Sequence, residues 1–312
     1  MADSPRRISL PTAFFAFLAL ALAIALYLKS RPPERRPTTP PAPRETPRKP
    51  RPHPPAPVPT TALQPSPAAP AVTPAVTPAS IAIVIDDLGN DREALERIAR
   101  WPFRVAGAVL PGLPDSTDAA RRLAASGKEV LLHLPMEPDG YPRVRPGPGV
   151  VLRADSDEKI AQTVAEDLDS VPGAVGVNNH MGSAATADAR VMRAVVRVLA
   201  SRRLFLLDSR TTEATVARRV ADEAALPAVS RRVFLDAVET PESIDRAFRD
   251  LLRKARQDGP ALAIGHPHPA TLALLERELP RLAAEHVELV TVGSLTRVAR
   301  VPTPRARVAA AN

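Results

Sequence analysis

From residue 81 onward, short apolar runs alternate with longer amphipathic stretches. The runs are IAIVI (81–85), RVAGAVL (104–110), KEVLLHL (128–134), GAVGV (173–177), RLFLL (203–207), RRVFL (231–235), ALAI (261–264) and VELVTV (287–292). Runs this short and this continuously apolar suit parallel strands buried on both faces. Between them, helical spacing covers DREALERIAR and the stretches near 115–126, 155–170, 186–201, 211–224, 241–257 and 269–284. Asn90 is placed to cap the first helix, Asp155 and Glu158 to form a capping box, and Thr240-Pro241 to start the helix that follows. About eight strands alternating with about seven helices over ~220 residues predict an α/β fold. It is a distorted (β/α) barrel of about seven or eight parallel strands, with an open doubly wound sheet as the alternative.

Six of these runs stop at or just before polar residues. The run ends carry Asp86 and Asp87, His133 with Glu137 four residues on, Asn178, Asn179 and His180, Asp208 and Ser209, Asp236, and His266 with His268. The carboxyl ends of parallel strands share one rim, so residues distant in sequence converge on one pocket. Pro135 excludes a helix between His133 and Glu137 and leaves the two as neighbours in a tight loop. In GHPHP the alternation of strand side chains admits only one of the two histidines to the pocket. Asp208 and Asp236 are placed to orient histidines, bind substrate hydroxyls or cap the next helix. His53 and His286 lack this context.

The residues before 81 are of another kind. Ile8 to Leu28 is an uncharged stretch of 21 residues bounded by Arg6–Arg7 and Lys29, about the length that spans a bilayer core as a helix. It ends in Tyr27-Leu28-Lys29 rather than at a small-residue cleavage site, which favours an uncleaved anchor. Of the 37 prolines, 18 lie between Pro32 and Ser80, a composition that makes a semi-rigid extended spacer. The expected organisation is an anchor (1–31), a disordered linker (32–80), a barrel (81–300) and a disordered tail (301–312). The anchor is single-pass in a bacterial inner membrane, and the folded domain lies in the periplasm or otherwise outside the cytoplasm.

Charge narrows the partners. The net charge of +8 resolves into +7 on residues 1–80 and about +1 on the remaining 232 residues, from 32 bases and 31 acids. A nearly neutral domain with 3% aromatic residues lacks the basic footprint and stacking platform of a nucleic-acid binder. There is no cysteine, so thiolate chemistry and thiolate ligands are excluded. No glycine-rich phosphate loop follows the first strand, and neither Ser183 nor Ser209 sits in GxSxG. Histidines and carboxylates at strand ends suit a cation held by nitrogen and oxygen. Zinc on two histidines and one aspartate leaves a position where water becomes acidic enough to attack a carbonyl.

The order IAIVIDDLG, AVLPG, GKEVLLHLPME, NNHMGS, LDSRTT, VFLD and IGHPHP resembles the divergent polysaccharide deacetylase family over nearly all of residues 81–296. The resemblance implies a distorted barrel and a base aspartate paired with a metal-binding aspartate, matched by Asp86 and Asp87. It also implies a His-x-x-x-His metal pair. His133 matches the first histidine, but Glu137 stands at the second. Three resolutions follow: Glu137 is an oxygen ligand, His180 supplies the missing nitrogen, or no metal binds. The expected metal set is Asp87, His133 and His180 with zinc, and His266 or His268 is the general acid. Glu137, Asn178, Asn179, Asp208 and Asp236 are expected at the substrate, as is the loop to Leu152 with Tyr141, Arg143 and Arg145. The implied activity is metal-dependent removal of acetyl groups from an envelope polysaccharide such as peptidoglycan. The alternative is a catalytically inactive envelope polysaccharide-binding or scaffold protein, favoured by the altered second motif. A cytoplasmic sugar hydrolase on an inverted anchor is a third reading.

Overall fold

The computed structural model describes residues 78–298. The expected anchor, almost all of the linker and the tail lie outside them. Among the described residues no helix is long and apolar enough to cross a membrane.

Strands and helices alternate as β1 (Ala79–Leu88), α1 (Arg92–Ala99), β2 (Ala106–Val109), α2 (Ser116–Ala125), β3 (Glu129–Met136), α3 (Asp157–Ser170), β4 (Ala174–Met181), α4 (Ala189–Ser201) and β5 (Phe205–Asp208). They continue as α5 (Ala217–Glu223), β6 (Ala228–Ser230), β7 (Val233–Phe234), α6 (Pro241–Asp258), β8 (Ala261–Gly265), α7 (Pro269–Glu278), β9 (Val287–Leu289) and α8 (Val292–Val298). Leu279–Glu285 forms a 3-10 turn before β9. All pairings are parallel, in the order β6-β5-β4-β3-β2-β1-β8-β7, with β9 beside the start of β1. Only Arg231 and Arg232 separate the two ends of that order. The Arg231 N–H donates to Asp208 O on β5 (2.9 Å) and the Arg232 N–H to Leu262 O on β8 (2.8 Å). One stretch of chain therefore leaves β5 and joins β8, and the sheet curves round into a half-barrel whose end strands β6 and β7 do not pair with each other.

Strand alternation sorts the core into two layers. Ile81, Ile83 and Ile85 of β1 belong to the outer layer under the helices, whereas Ala82 and Val84 belong to an inner one with Ala106, Ala108, Leu131, Phe205, Leu207, Leu262 and Ile264. Val292 and Leu295 of α8 join the inner layer. Glu129, the first residue of β3, accepts the N–H groups of Val292 (2.6 Å) and Gly293 (3.1 Å) and ties α8 across the amino end. Gly176 admits the Phe205 ring, because a Cβ there would stand 2.3 Å from it. With the amino end closed, the carboxyl rim is the open end.

Several sequence expectations are corrected here. Asp91, not Asn90, caps α1 by accepting the Ala94 N–H (2.9 Å). Ser156 caps α3, because the Asp155 carboxylate accepts the Leu152 N–H (3.0 Å) instead. Thr240 caps α6 as expected. The helix expected from 211 starts at Ala217, since residues 209–216 wrap the rim. The run VELVTV divides: pairing with β1 stops at Leu289, and the following residues turn into α8. His133 and Glu137 do not share a tight loop, because β3 continues through Pro135 to Met136. β2 pairs only as far as Leu132, so no partner on that side requires the N–H that Pro135 lacks.

Candidate metal and acid–base site

The site forms where each inward-facing row changes from apolar to polar. The rows are Ala82-Val84-Asp86, Leu131-His133, Asn178-His180, Leu207-Ser209 and Ile264-His266, each stepping by two residues. Asp87 breaks the alternation. Its φ of 57° is a left-handed turn, which brings its carboxylate to the same mouth as Asp86.

Three ligand-type atoms form a nearly equilateral triangle. Asp87 Oδ1 lies 3.2 Å from His133 Nε2 and 3.0 Å from His180 Nδ1, and the two nitrogens are 3.1 Å apart. Asp87 Oδ1 is buried without a hydrogen-bond partner among the described residues. Burial acts to raise the Asp87 pKa, but His133 and His180 together hold it well below the usual carboxylate range.

Asp86 sits beside the triangle, buried, with Oδ2 at 3.5 Å from His133 Nε2. Asn178, fully buried, donates its amide N–H groups to Asp86 Oδ1 (2.9 Å) and Oδ2 (3.1 Å). Because a carboxylate only accepts, this fixes the amide orientation. Asn178 Oδ1 therefore faces His133 Nδ1 at 3.0 Å and accepts its N–H, which holds the proton on Nδ1 and leaves a lone pair on Nε2 toward Asp87 and His180. Burial raises the Asp86 pKa against the opposing pull of His133, His266 and the Asn178 hydrogen bond. A carboxylate shifted upward in this way is suited to accept a proton.

His266 Nε2 lies 3.8 Å from Asp87 Oδ2. Its Nδ1 is 2.9 Å from Asp236 Oδ1, and Asp236 Oδ2 accepts the His266 backbone N–H (2.6 Å) and the Thr271 hydroxyl (2.8 Å). Burial acts to lower the His266 pKa, but Asp236 reverses it and the net shift is upward. His268, at the start of α7, is more exposed and lies 3.4 Å from Glu239. The expectation that one of the pair enters is met by His266. His268 stays close enough to form a second potential donor group with Asp236 and His266.

With the barrel and the site in view, the family assignment follows from a match of residues 83–296 to the model of the divergent polysaccharide deacetylases. The chain belongs to this family. It is 35% identical to an uncharacterized protein of Haemophilus influenzae over 72% of this chain and 79% of that one. It is 36% identical to the uncharacterized protein YibQ of Escherichia coli over 72% and 69%. An uncharacterized protein of Agrobacterium tumefaciens is similar in structure, with a TM-score of 0.68, 25% identity, and coverage of 71% of this chain and 90% of that one.

The metal implied by a deacetylase of this family fits the residues present. One carboxylate oxygen and two imidazole nitrogens are borderline donors of the kind zinc takes, and ligand atoms around a four-coordinate zinc stand about 3.3 Å apart. The observed triangle has edges of 3.0–3.2 Å, and its carboxylate oxygen otherwise lacks a donor.

Other expected residues do different work. Glu137, at the second histidine position of the family motif, accepts the backbone N–H of Arg153 (2.7 Å) and its Nε (2.9 Å), so its carboxylate is already engaged. Asn179 Oδ1 accepts the Ser209 N–H (2.9 Å) and its amide donates to Met181 O (2.8 Å), which binds β4 to the turn after β5. Asp208 accepts the Arg210 N–H (2.9 Å) and the Thr215 hydroxyl (3.3 Å), bracing residues 209–215. Asn178 and Asp236 hold other side chains of the site rather than presenting themselves to substrate. Tyr141 is half-buried, and Arg143 and Arg145 are exposed on the loop after β3. Ser209, marked in sequence at a run end but outside GxSxG, has its hydroxyl 3.2 Å from Asn178 Nδ2. Arg231 had no signal in sequence, because it opens the run RRVFL instead of ending one.

Proposed function

We propose that the chain is a metal-dependent hydrolase that removes acetyl groups from an envelope carbohydrate. The observation that carries this reading is the placement of a proton acceptor and a proton donor beside the Asp87–His133–His180 triangle. Asp86 flanks it at 3.5 Å from His133 and His266 at 3.8 Å from Asp87. Asp87, His133 and His180 would hold the cation, zinc in this reading. When bound, a divalent ion acidifies water and supports negative charge on a carbonyl oxygen.

The chain's own groups handle the protons. Asp86 takes a proton from the water whose oxygen bonds to the acetyl carbon, and Asn178 keeps the carboxylate aimed while it does so. His266, with Nδ1–H on Asp236, carries a second proton on Nε2. It gives that proton to the sugar nitrogen or oxygen as the bond to the acetyl carbon breaks. Acetate and the free amine or hydroxyl result. Burial of Asp86 and Asp236 excludes the water that would otherwise screen these charges.

The uncharged stretch Ile8–Leu28 and the proline-rich spacer support a tether to the inner membrane, with the catalytic domain facing an extracytoplasmic glycan. The test is acetate release from N-acetylated amino-sugar oligosaccharides by the zinc-loaded full chain and its Asp86→Asn variant. Release by wild type and its loss in the variant is the expected result. Equal release by both overturns the assignment of Asp86.

A further inference from the structure

Arg231 occupies the seam where the chain passes from β5 to β8. Its Nε donates to Ser209 O (2.6 Å) and its Nη2 to Arg210 O (2.8 Å). Its Cζ lies 4.9 Å from the centre of the Phe234 ring, and that ring is 5.2 Å from the ring of His266. Ser209 in turn touches Asn178, which holds Asp86. Arg231 thus borders the proton acceptor on one side and the proton donor, across Phe234, on the other.

Asp208, Asp86 and Glu213 act on its charge from a distance, but none pairs with it. Among the described residues, no carboxylate lies within ion-pair distance of the Arg231 guanidinium, and its Nη1 has no hydrogen-bond partner. Other arginines of the fold do meet carboxylates: Arg97 pairs with Glu276, Arg122 with Glu96, and Arg190 with Asp157. Half-buried guanidinium groups ordinarily have such a partner, since desolvating a cation is costly. Two carbonyls and a ring face fix the plane of Arg231 without neutralising it, and one terminal nitrogen is left over. A cation oriented in advance and lacking an anion is a receptor for one.

We propose that Arg231 binds an anionic oxygen substituent, carboxylate or phosphate, on the acylated sugar. The preferred substrate is then an acidic glycan rather than a neutral one. This rests on the hydrolase reading of the same site. The competing role is purely structural, with Arg231 pinning the carbonyls of Ser209 and Arg210.

The two roles separate in a binding experiment that needs no turnover. The full chain carrying Asp86→Asn is titrated with an N-acetylated oligosaccharide bearing a carboxylate, with the same compound amidated, and with a phosphate-bearing analogue. The acidic ligands are expected to bind about tenfold tighter than the amide, the effect of one charge-assisted hydrogen bond. Which acid binds tighter identifies the substituent. Adding Arg231→Gln is expected to remove the preference, while Arg231→Lys keeps part of it. The ligand comparison in the protein that retains Arg231 stands even where Arg231→Gln fails to fold. Equal binding of acidic and amidated ligands overturns the proposal and leaves the hydrolase reading intact. A preference that survives Arg231→Gln overturns it too. Failure of every oligosaccharide to bind overturns both.

Discussion

Asn178 joins its amide to both carboxylate oxygens of Asp86, at 2.9 and 3.1 Å. The same side chain accepts from His133 Nδ1 at 3.0 Å, so one buried amide sets the orientation of the Asp86 carboxylate and the tautomer of His133. Asn178→Ala should lower zinc affinity and acetate release about 10–100-fold, the usual cost of losing a group that orients a metal ligand. Competition with a chelator measures the affinity. Unchanged affinity and rate would show that Asp86 and His133 hold their positions without it.

The Asp236–His266 pair sets a pH limb. A general acid works while protonated, so the rate falls as pH rises through the His266 pKa. Asp236 raises that pKa against burial, which extends activity to higher pH. Asp236→Asn should therefore move the alkaline limb of kcat/KM to lower pH by about one unit. An unmoved limb would mean that another group is the acid.

The strand ends were legible in sequence because side chains alternate. Asp86, His133 and His266 each follow an inner-face apolar residue by a step of two, His180 follows Asn178 by the same step, and the structure brings the four together. What was hidden depends on neighbours distant along the chain. Nothing local tells that Glu137 meets Arg153, or that Asn178, read as a substrate contact, instead holds Asp86. Strand length was also set from outside: the start of β1 offers β9 partners only from Ala79 to Ile81, so VELVTV could not remain one strand. The partner switch at Arg231–Arg232 likewise requires knowing where β5 and β8 lie.

Asp167 on α3 makes stability depend on pH. Burial, reinforced by the neighbouring Glu166, pushes its pKa up to about 7, and its Oδ2 lacks a partner among the described residues. The folded state therefore binds this proton more tightly than the unfolded chain. Stability is highest below the unfolded value of about 3.9, falls as pH rises, and levels off above the folded value. Asp167→Asn should flatten this slope and stabilise the fold by about 1–3 kcal/mol at pH 8 relative to pH 5, read by denaturant unfolding. An unchanged slope would show that the proton is not held there.

Phe205 depends on Gly176. A Cβ at 176 would lie 2.3–2.5 Å from three atoms of the Phe205 ring, so Gly176→Ala should cost about 1–3 kcal/mol from overpacking. Pairing it with Phe205→Leu should recover part of the loss. A double variant no more stable than the sum of the two single effects predicts would contradict the contact as the cause.

In the proposed mechanism Asp87, His133 and His180 hold a divalent cation and Glu137 does not. The direct measurement is metal content of the full chain after zinc loading and dialysis, by elemental mass spectrometry, for wild type, Asp87→Ala, His180→Ala and Glu137→Gln. The expected result is about one ion per chain in wild type and Glu137→Gln, and loss in the other two, as for a three-ligand site. An ion retained by His180→Ala and lost from Glu137→Gln, or no ion in wild type, would contradict it.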